Sequence, residues 1–298
     1  LNDVLKSQKN TPLAIDPSNI TRYPSPPLRC RRYAHPLLSL LAFLFPSCPR
    51  LLSNDTQITT LLLDCDNTLV LSEHLAFAAC ADLANTILAK HNISNAPTYT
   101  GEALMTEFVG QNFRGMLLNL CKKYDLTLSD EELAKYVAAE EDAVIGKLKE
   151  SLEPCVGVMD ALAKVNGKYE LAVVSSSALR RLNASLVKTA MADYFGARVF
   201  SAATSLPEPT SKPDPAIYNF AVKTLGKKPE ECLAVEDSKS GTLSGVRAGL
   251  RVMGYVGSYP AEEQEKMETV LKENGAEIVM KDWADFDKCV QQLDGAKL

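Results

Sequence analysis

The sequence predicts an α/β fold: a parallel sheet covered by helices on both faces, assembled from two stretches of chain with a helical insertion between them. Two observations predict it. From Pro154 onward, short apolar runs alternate with helical stretches, the pattern of a parallel sheet with crossover helices. Earlier, the run Ile58-Thr-Thr-Leu-Leu-Leu63 ends abruptly in charge, as a buried strand does, and residues 70–152 then read almost entirely as helix. The 298 residues, 46% of them hydrophobic, suffice for one large domain or two smaller ones.

The elements follow in order. After the first strand, Ser72 to His91 carries apolar residues at helical spacing, with Ser72 as a candidate N-cap. Helices are expected over Gly101–Phe108, Phe113–Tyr124 and Asp130–Leu148, the last opened by the capping-box spacing Ser129-Asp-Glu-Glu132. Beyond Pro154 the sequence predicts a helix over Val156–Val165 and a strand over Tyr169–Val174. A helix from Ala178 to Ala190 and a strand over Arg198–Phe200 come next. A helix over Ala216–Leu225 then leads to a strand over Cys232–Val235. A helix over Ser240–Ala248 precedes strands over Arg251–Val256 and Ala276–Met280.

Residues 1–54 stand apart. From Pro17 to Asn54 there is no acidic residue, yet Arg22, Arg29, Arg31, Arg32 and Arg50 fall there among seven prolines. Proline removes backbone donors and restricts its neighbours, so no regular element is expected before Pro36. The stretch reads as a targeting-like or disordered extension. The chain starts on Leu1, which leaves residues before it open. The formal net charge of −5 lacks the basic footprint of a non-specific nucleic-acid binder. No stretch is apolar for long enough to span a membrane. The 8 cysteines show no CxxC pair, which favours reduced thiols. The cytosol is the expected compartment, or the mitochondrion if the extension is a transit segment. A monomer or weak dimer is the expected state.

In such sheets ligands bind beyond the carboxyl ends of the strands, so the polar residues there are the candidates. The first strand ends in Asp64-Cys-Asp66. Two carboxylates so placed are costly unless a cation or proton separates their charges. Magnesium takes oxygen ligands and suits phosphate substrates. One carboxylate can attack phosphorus, while the other protonates the leaving oxygen and later deprotonates water. A solvated surface loop is the plain alternative. The second strand ends in Ser175-Ser176-Ser177, whose hydroxyls and N–H groups suit phosphate oxygens or simple helix capping. Lys212, stiffened by Pro213 and Pro215, is placed to pin a phosphoryl group and keep Asp64 ionised, or is a solvated turn lysine. A later strand ends in Glu236-Asp237, two acids suited to complete a metal site or to decorate a helix N-terminus.

Together these motifs resemble the haloacid dehalogenase-like hydrolase superfamily, most of all its branch of β-phosphoglucomutase and sugar-phosphate phosphatases. The resemblance covers about residues 58–260 and rests on Asp64-Cys-Asp-Asn-Thr-Leu69, Ser175, Lys212-Pro-Asp-Pro-Ala-Ile-Tyr218 and Glu236-Asp-Ser238 with Gly241. It implies a Rossmann-like three-layer core over residues 55–69 and 153–298, and a helical cap over 70–152 that closes on the substrate. Asp64 is then the nucleophile that forms an aspartyl-phosphate, and Asp66 the general acid/base. Ser175, Ser176 and Lys212 bind the phosphoryl group. Asp64, Asp66 through its backbone carbonyl, Glu236 directly or through water, and Asp237 hold Mg2+.

Departures from the family pattern sharpen the expectation. Leu71 replaces a usual acid, and Leu75-Ala-Phe-Ala-Ala79 lacks the cap histidine of the mutase. Gly110-Gln-Asn-Phe-Arg114 takes the place of a substrate loop, with Arg114 facing an anionic substrate or the solvent. Asp66, Glu236 and Asp237 count against a dehalogenase. The expected activity is hydrolysis of a small, sugar-phosphate-like ester. A phosphosugar mutase and a non-catalytic binding protein on this scaffold are the alternatives.

Overall fold

The computed structural model describes residues 57–108 and 111–295. The predicted extension therefore lies outside the described residues. Strand β1 (Thr60–Leu63) leads into four helices, α1 (Glu73–Lys90), α2 (Gly101–Glu107), α3 (Phe113–Lys123) and α4 (Asp130–Ser151). Helix α5 (Val158–Val165), β2 (Glu170–Ser175), α6 (Leu179–Lys188), α7 (Ala192–Phe195) and β3 (Val199–Ser201) follow. The chain continues through α8 (Ala216–Thr224), β4 (Cys232–Glu236), α9 (Lys239–Arg247) and β5 (Arg251–Tyr255). It closes with α10 (Ala261–Glu273), β6 (Ile278–Met280) and α11 (Phe286–Leu293).

The six strands form one parallel sheet in the order β3-β2-β1-β4-β5-β6. Every residue of β1 is buried, which explains why it reads as a continuous apolar run rather than an alternating one. The period-2 alternation survives in which core each side chain joins. Leu61, Leu63, Leu171, Val173, Leu233 and Val235 pack on one face, with Val158, Leu162, Leu182, Phe195, Phe286 and Val290. Leu62, Ala172, Val174, Ala234 and Val252 pack on the other, with Ile217, Tyr218, Ala221 and Val222 of α8. The result is the three-layer α/β architecture predicted from the sequence.

The insertion has its own core, in which Cys80, Ala84, Ile87, Leu104, Phe113, Leu117, Leu120 and Tyr136 cluster. The first turns of α1 and the last turns of α4 belong instead to the sheet's core, through Leu75, Ala79, Val144 and Leu148. Thus the two helices that connect insertion and sheet are rooted in the sheet. Ser129 builds the expected capping box with Glu132 at the start of α4. Ser72 does not cap α1; its backbone is already helical and its hydroxyl bonds elsewhere.

The C-terminal helices α10 and α11 add to the elements read from the sequence. In α10 only Leu271 is buried, so no apolar stripe announced it. Trp283 is 1% exposed and donates its indole N–H to the Thr68 carbonyl at 3.2 Å. It thereby anchors the loop after β1. Among the described residues, all six cysteines are free thiols, and no helix is long and apolar enough to cross a membrane.

Candidate active site

Strand order places the site. The chain runs outward from β1 to β2 and β3, then crosses to β4 on the other side of β1. The carboxyl end of β1 is thus a switch point, where the connections diverge and leave a crevice. Asp64 is the first residue past β1, and its N–H is held by the Val235 carbonyl at 3.0 Å. The chain then turns tightly, with Leu69 and Val70 N–H both bonding the Cys65 carbonyl at 2.9 and 3.1 Å. Asn67 takes the left-handed conformation in this turn (φ 58°), which asparagine tolerates better than most side chains. Its amide donates to Glu73 at 2.6 Å, tying the turn to the start of α1.

Lys212 is the hub of the buried charges. Its ammonium lies 2.5 Å from Asp64 Oδ1, 2.6 Å from Glu236 Oε1 and 2.8 Å from the Val174 carbonyl. An ammonium has three donors, and all three are engaged. Burial opposes its charge, but Asp64 and Glu236 outweigh burial and hold it protonated well above the usual lysine range. Tyr218 donates its hydroxyl to Glu236 Oε1 and places its ring face 5.3 Å from the ammonium.

One lysine does not balance the acids around it. Carboxylate oxygens of Asp64, Glu236 and Asp237 lie within 4.8 Å of one another, all three side chains buried. With Lys212 counted, two negative charges remain in excess when all three acids are ionised. Burial, reinforced by Glu236 and Asp66 and opposed by Lys212, pushes Asp64 up to about 7. Burial and then Asp64 push Asp237 well above the carboxylate range. An all-oxygen donor set with two uncompensated charges fits a hard divalent cation, magnesium included.

Asp66 sits in different surroundings. Its carboxylate accepts from Ser72 Oγ at 2.5 Å, Ser177 Oγ at 2.7 Å and Ser175 Oγ at 3.4 Å. Arg181 Nη2 lies 3.6 Å away. Burial alone would raise its pKa, but Arg181 and the Ser72 and Ser177 hydroxyls hold it below the usual carboxylate value. The Asp66 side chain therefore stands outside the group of three acids, and only its backbone carbonyl is left for the expected metal role. Ser176 accepts the Lys212 backbone N–H at 3.1 Å.

A cleft of about 690 Å³ opens above these groups, lined by Asp64, Asp66, Ser175, Ser176, Lys212 and Asp237 among others. Of the predicted site residues, Glu236 lies just beneath it, fully buried. Arg114 is exposed on α3 and is not among the lining residues, whereas its neighbours Gln111, Asn112, Phe113 and Met116 are. The reason is helical phase: Asn112 caps α3, accepting from Gly115 N–H at 2.9 Å, and Phe113 and Met116 turn inward while Arg114 turns out. Gly110 lies outside the described residues. Sequence reasoning missed Tyr259, whose hydroxyl approaches Asp237 at 3.4 Å, and Arg181 and Glu140. Thr68 and Ser177 stood within the motifs without a role of their own; Thr68 approaches Asp237 at 3.4 Å and Ser177 donates to Asp66 at 2.7 Å.

Gly241 supports the site by having no side chain. A Cβ there would fall 1.7 Å from Glu236 Oε2. Gly241→Ala is therefore expected to displace the Glu236 carboxylate and destabilise the fold by about 3 kcal/mol. Thermal unfolding should show the midpoint lowered by roughly 10 °C. Gly146→Ala in α4, where a Cβ meets nothing within 4 Å, is the control and should leave the midpoint unchanged or slightly raised.

Comparison with known proteins agrees with this geometry. A family model described as haloacid dehalogenase-like hydrolase matches residues 58–249. The chain is 31% identical over 199 residues to a phosphorylated carbohydrates phosphatase of Thermotoga maritima, covering 66% of this chain and 85% of the relative. It is 26% identical over 200 residues to the 6-phosphogluconate phosphatase of Escherichia coli, covering 67% and 83%. Among solved structures, a conserved haloacid dehalogenase-like protein from Agrobacterium tumefaciens superposes with a TM-score of 0.60 at 24% identity, covering 79% of this chain and 99% of its own.

Proposed function

Because the chain belongs to the haloacid dehalogenase-like hydrolases, we propose that it is a magnesium-dependent phosphatase that hydrolyses a small phosphate monoester through Asp64. The observation that carries this reading is the carboxylate of Asp64 at the sheet's switch point, 2.5 Å from Lys212 and grouped with Glu236 and Asp237. The phosphatase names of the relatives from Thermotoga maritima and Escherichia coli support the reaction class.

Asp64, Glu236 and Asp237, with the Asp66 carbonyl, would hold the magnesium ion. Bound there, it would supply the positive charge that balances these acids and would offset negative charge on the phosphoryl group. An Asp64 oxygen attacks phosphorus, the bond to the leaving oxygen breaks, and an aspartyl-phosphate forms. Water then attacks phosphorus, gives its proton to Asp66, and releases inorganic phosphate and free Asp64. In the first step Asp66, having taken up a proton as substrate binds, gives it to the leaving oxygen; the proton it then takes from water restores it for the next cycle. Its low resting pKa, held against burial by Arg181 and the Ser72 and Ser177 hydroxyls, suits the base half of that role. Ser175, Ser176 and Lys212 line the cleft beside Asp64, and on this reading they receive the phosphoryl oxygens, with Lys212 turning a donor from its present partners to do so. The helical insertion closes over the cleft as a cap and limits access of bulk water.

Phosphate release from a panel of sugar and polyol phosphates tests the reading. Release should vanish in excess EDTA and return on adding Mg2+. Turnover unaffected by chelation, or none from any ester, would overturn it.

A further inference from the structure

The wall that the insertion presents to the cleft has an unusual charge. Its polar members are Glu73 from α1, Gln111 and Asn112 before α3, and Glu140 from α4; Phe77 and Phe113 lie among them. Among the described residues, no cation lines this wall. The cleft as a whole has two, Lys212 and Arg181. The three donors of Lys212 are engaged below. Arg181 lies 3.6 Å from Asp66 with its Nε unpartnered among the described residues, and its charge also opposes the burial that raises Glu140, so two acids share it.

The part of a substrate beyond the phosphoryl group therefore meets acids, amides and aromatic faces. Glu140 makes a single weak contact among the described residues, accepting from Cys80 Sγ at 3.8 Å, and its other oxygen is uncommitted. A carboxylate in this position accepts hydrogen bonds from hydroxyl groups. It repels a second anion inside a partly desolvated cleft, where charges are screened less than in water.

We propose that Glu140 is a specificity-determining residue that admits phosphate monoesters of uncharged polyhydroxy compounds and turns away esters bearing a second anionic group, a carboxylate or another phosphate. This rests on the phosphatase reading above and narrows its substrate class. It also separates this chain from a relative whose name specifies a carboxylate-bearing sugar phosphate.

The test compares kcat/KM for sorbitol 6-phosphate, 6-phosphogluconate and a hexose 1,6-bisphosphate in the full chain, Glu140→Gln and Glu140→Lys, with Mg2+ present. The wild type should prefer the uncharged polyol ester by at least about 10-fold, less so at high salt. Glu140→Gln should narrow that ratio, and Glu140→Lys should shift it by about 100-fold toward the bisphosphate. Because each ratio is taken within one preparation, incomplete folding of a variant does not affect it. A wild type that favours either doubly anionic ester, or a ratio unmoved in both variants, overturns the proposal. p-Nitrophenyl phosphate separates the two failures: turnover of it without discrimination sinks the role of Glu140 alone, and no turnover by the wild type sinks the phosphatase reading too.

Discussion

Asp64→Asn is expected to reduce phosphate release by at least about 10^4-fold, because it removes the attacking oxygen and leaves the rest of the site in place. The substitution is nearly isosteric. Lys212 keeps its contacts with Glu236 at 2.6 Å and the Val174 carbonyl at 2.8 Å. Stability should move in the opposite direction from activity. In the metal-free protein burial, against the pull of Lys212, pushes Asp64 from its ordinary value of 3.8 up to about 7. A carboxylate with a raised folded-state pKa holds its proton in the fold while the unfolded chain has already released it. Stability therefore falls as pH rises from about 4 to about 7, and asparagine escapes that loss. At pH 8 in EDTA the variant should unfold at a temperature equal to or above that of the wild type. Activity within tenfold of the wild type would end the nucleophile assignment. Lost activity together with a collapsed melting temperature would show that Asp64 is a structural residue instead.

The same residues show which parts of this molecule were legible in one dimension. The sheet was legible because β1, β2, β4 and β5 are buried on both faces, and a buried parallel strand has no choice but to be apolar throughout. Asp64 and Asp237 stood out in the sequence because each follows an apolar strand directly, and Lys212 because prolines flank it in a loop; the structure brings all three to one cleft. What surrounds Asp66 was not legible. Ser72 looked like a helix cap, and the serine-to-cap rule is sound; here a carboxylate 2.5 Å away outcompeted the backbone for its hydroxyl. Arg181 and Glu140 sit within ordinary helical sequence, and only the approach of α4 to α6 brings both to the cleft. Their meaning is a property of packing between elements distant in sequence. Arg114 was left open between substrate and solvent for a similar reason: a single residue of helical phase separates exposed Arg114 from buried Phe113.

Lys212→Met tests whether the site is held by charge compensation as well as used for catalysis. Methionine matches the length and packing of lysine without the ammonium. Asp64 and Glu236 would then face each other and Asp237 with no counter-charge, each of them buried. Breaking a buried ion pair by removing one partner costs about 3–5 kcal/mol. At roughly 2–4 °C per kcal/mol, the midpoint should drop by about 10 °C in EDTA. The sign of the pH dependence separates this cause from lost packing. With the ammonium gone, the already raised folded-state pKa values of Asp64 and Asp237 rise further, so the penalty is small near pH 4, where those two hold protons, and grows as pH rises past neutrality. A packing defect would cost the same at both ends. Mg2+ should recover part of the lost stability, since two added positive charges replace the one removed, whereas phosphate release should stay at least about 100-fold below wild type because no ammonium remains beside the attacking carboxylate. A melting temperature unchanged at pH 8 in EDTA would mean that the buried acids around Lys212 need no counter-charge in the resting fold. The two excess charges that make the site a fit for a divalent cation would then be absent.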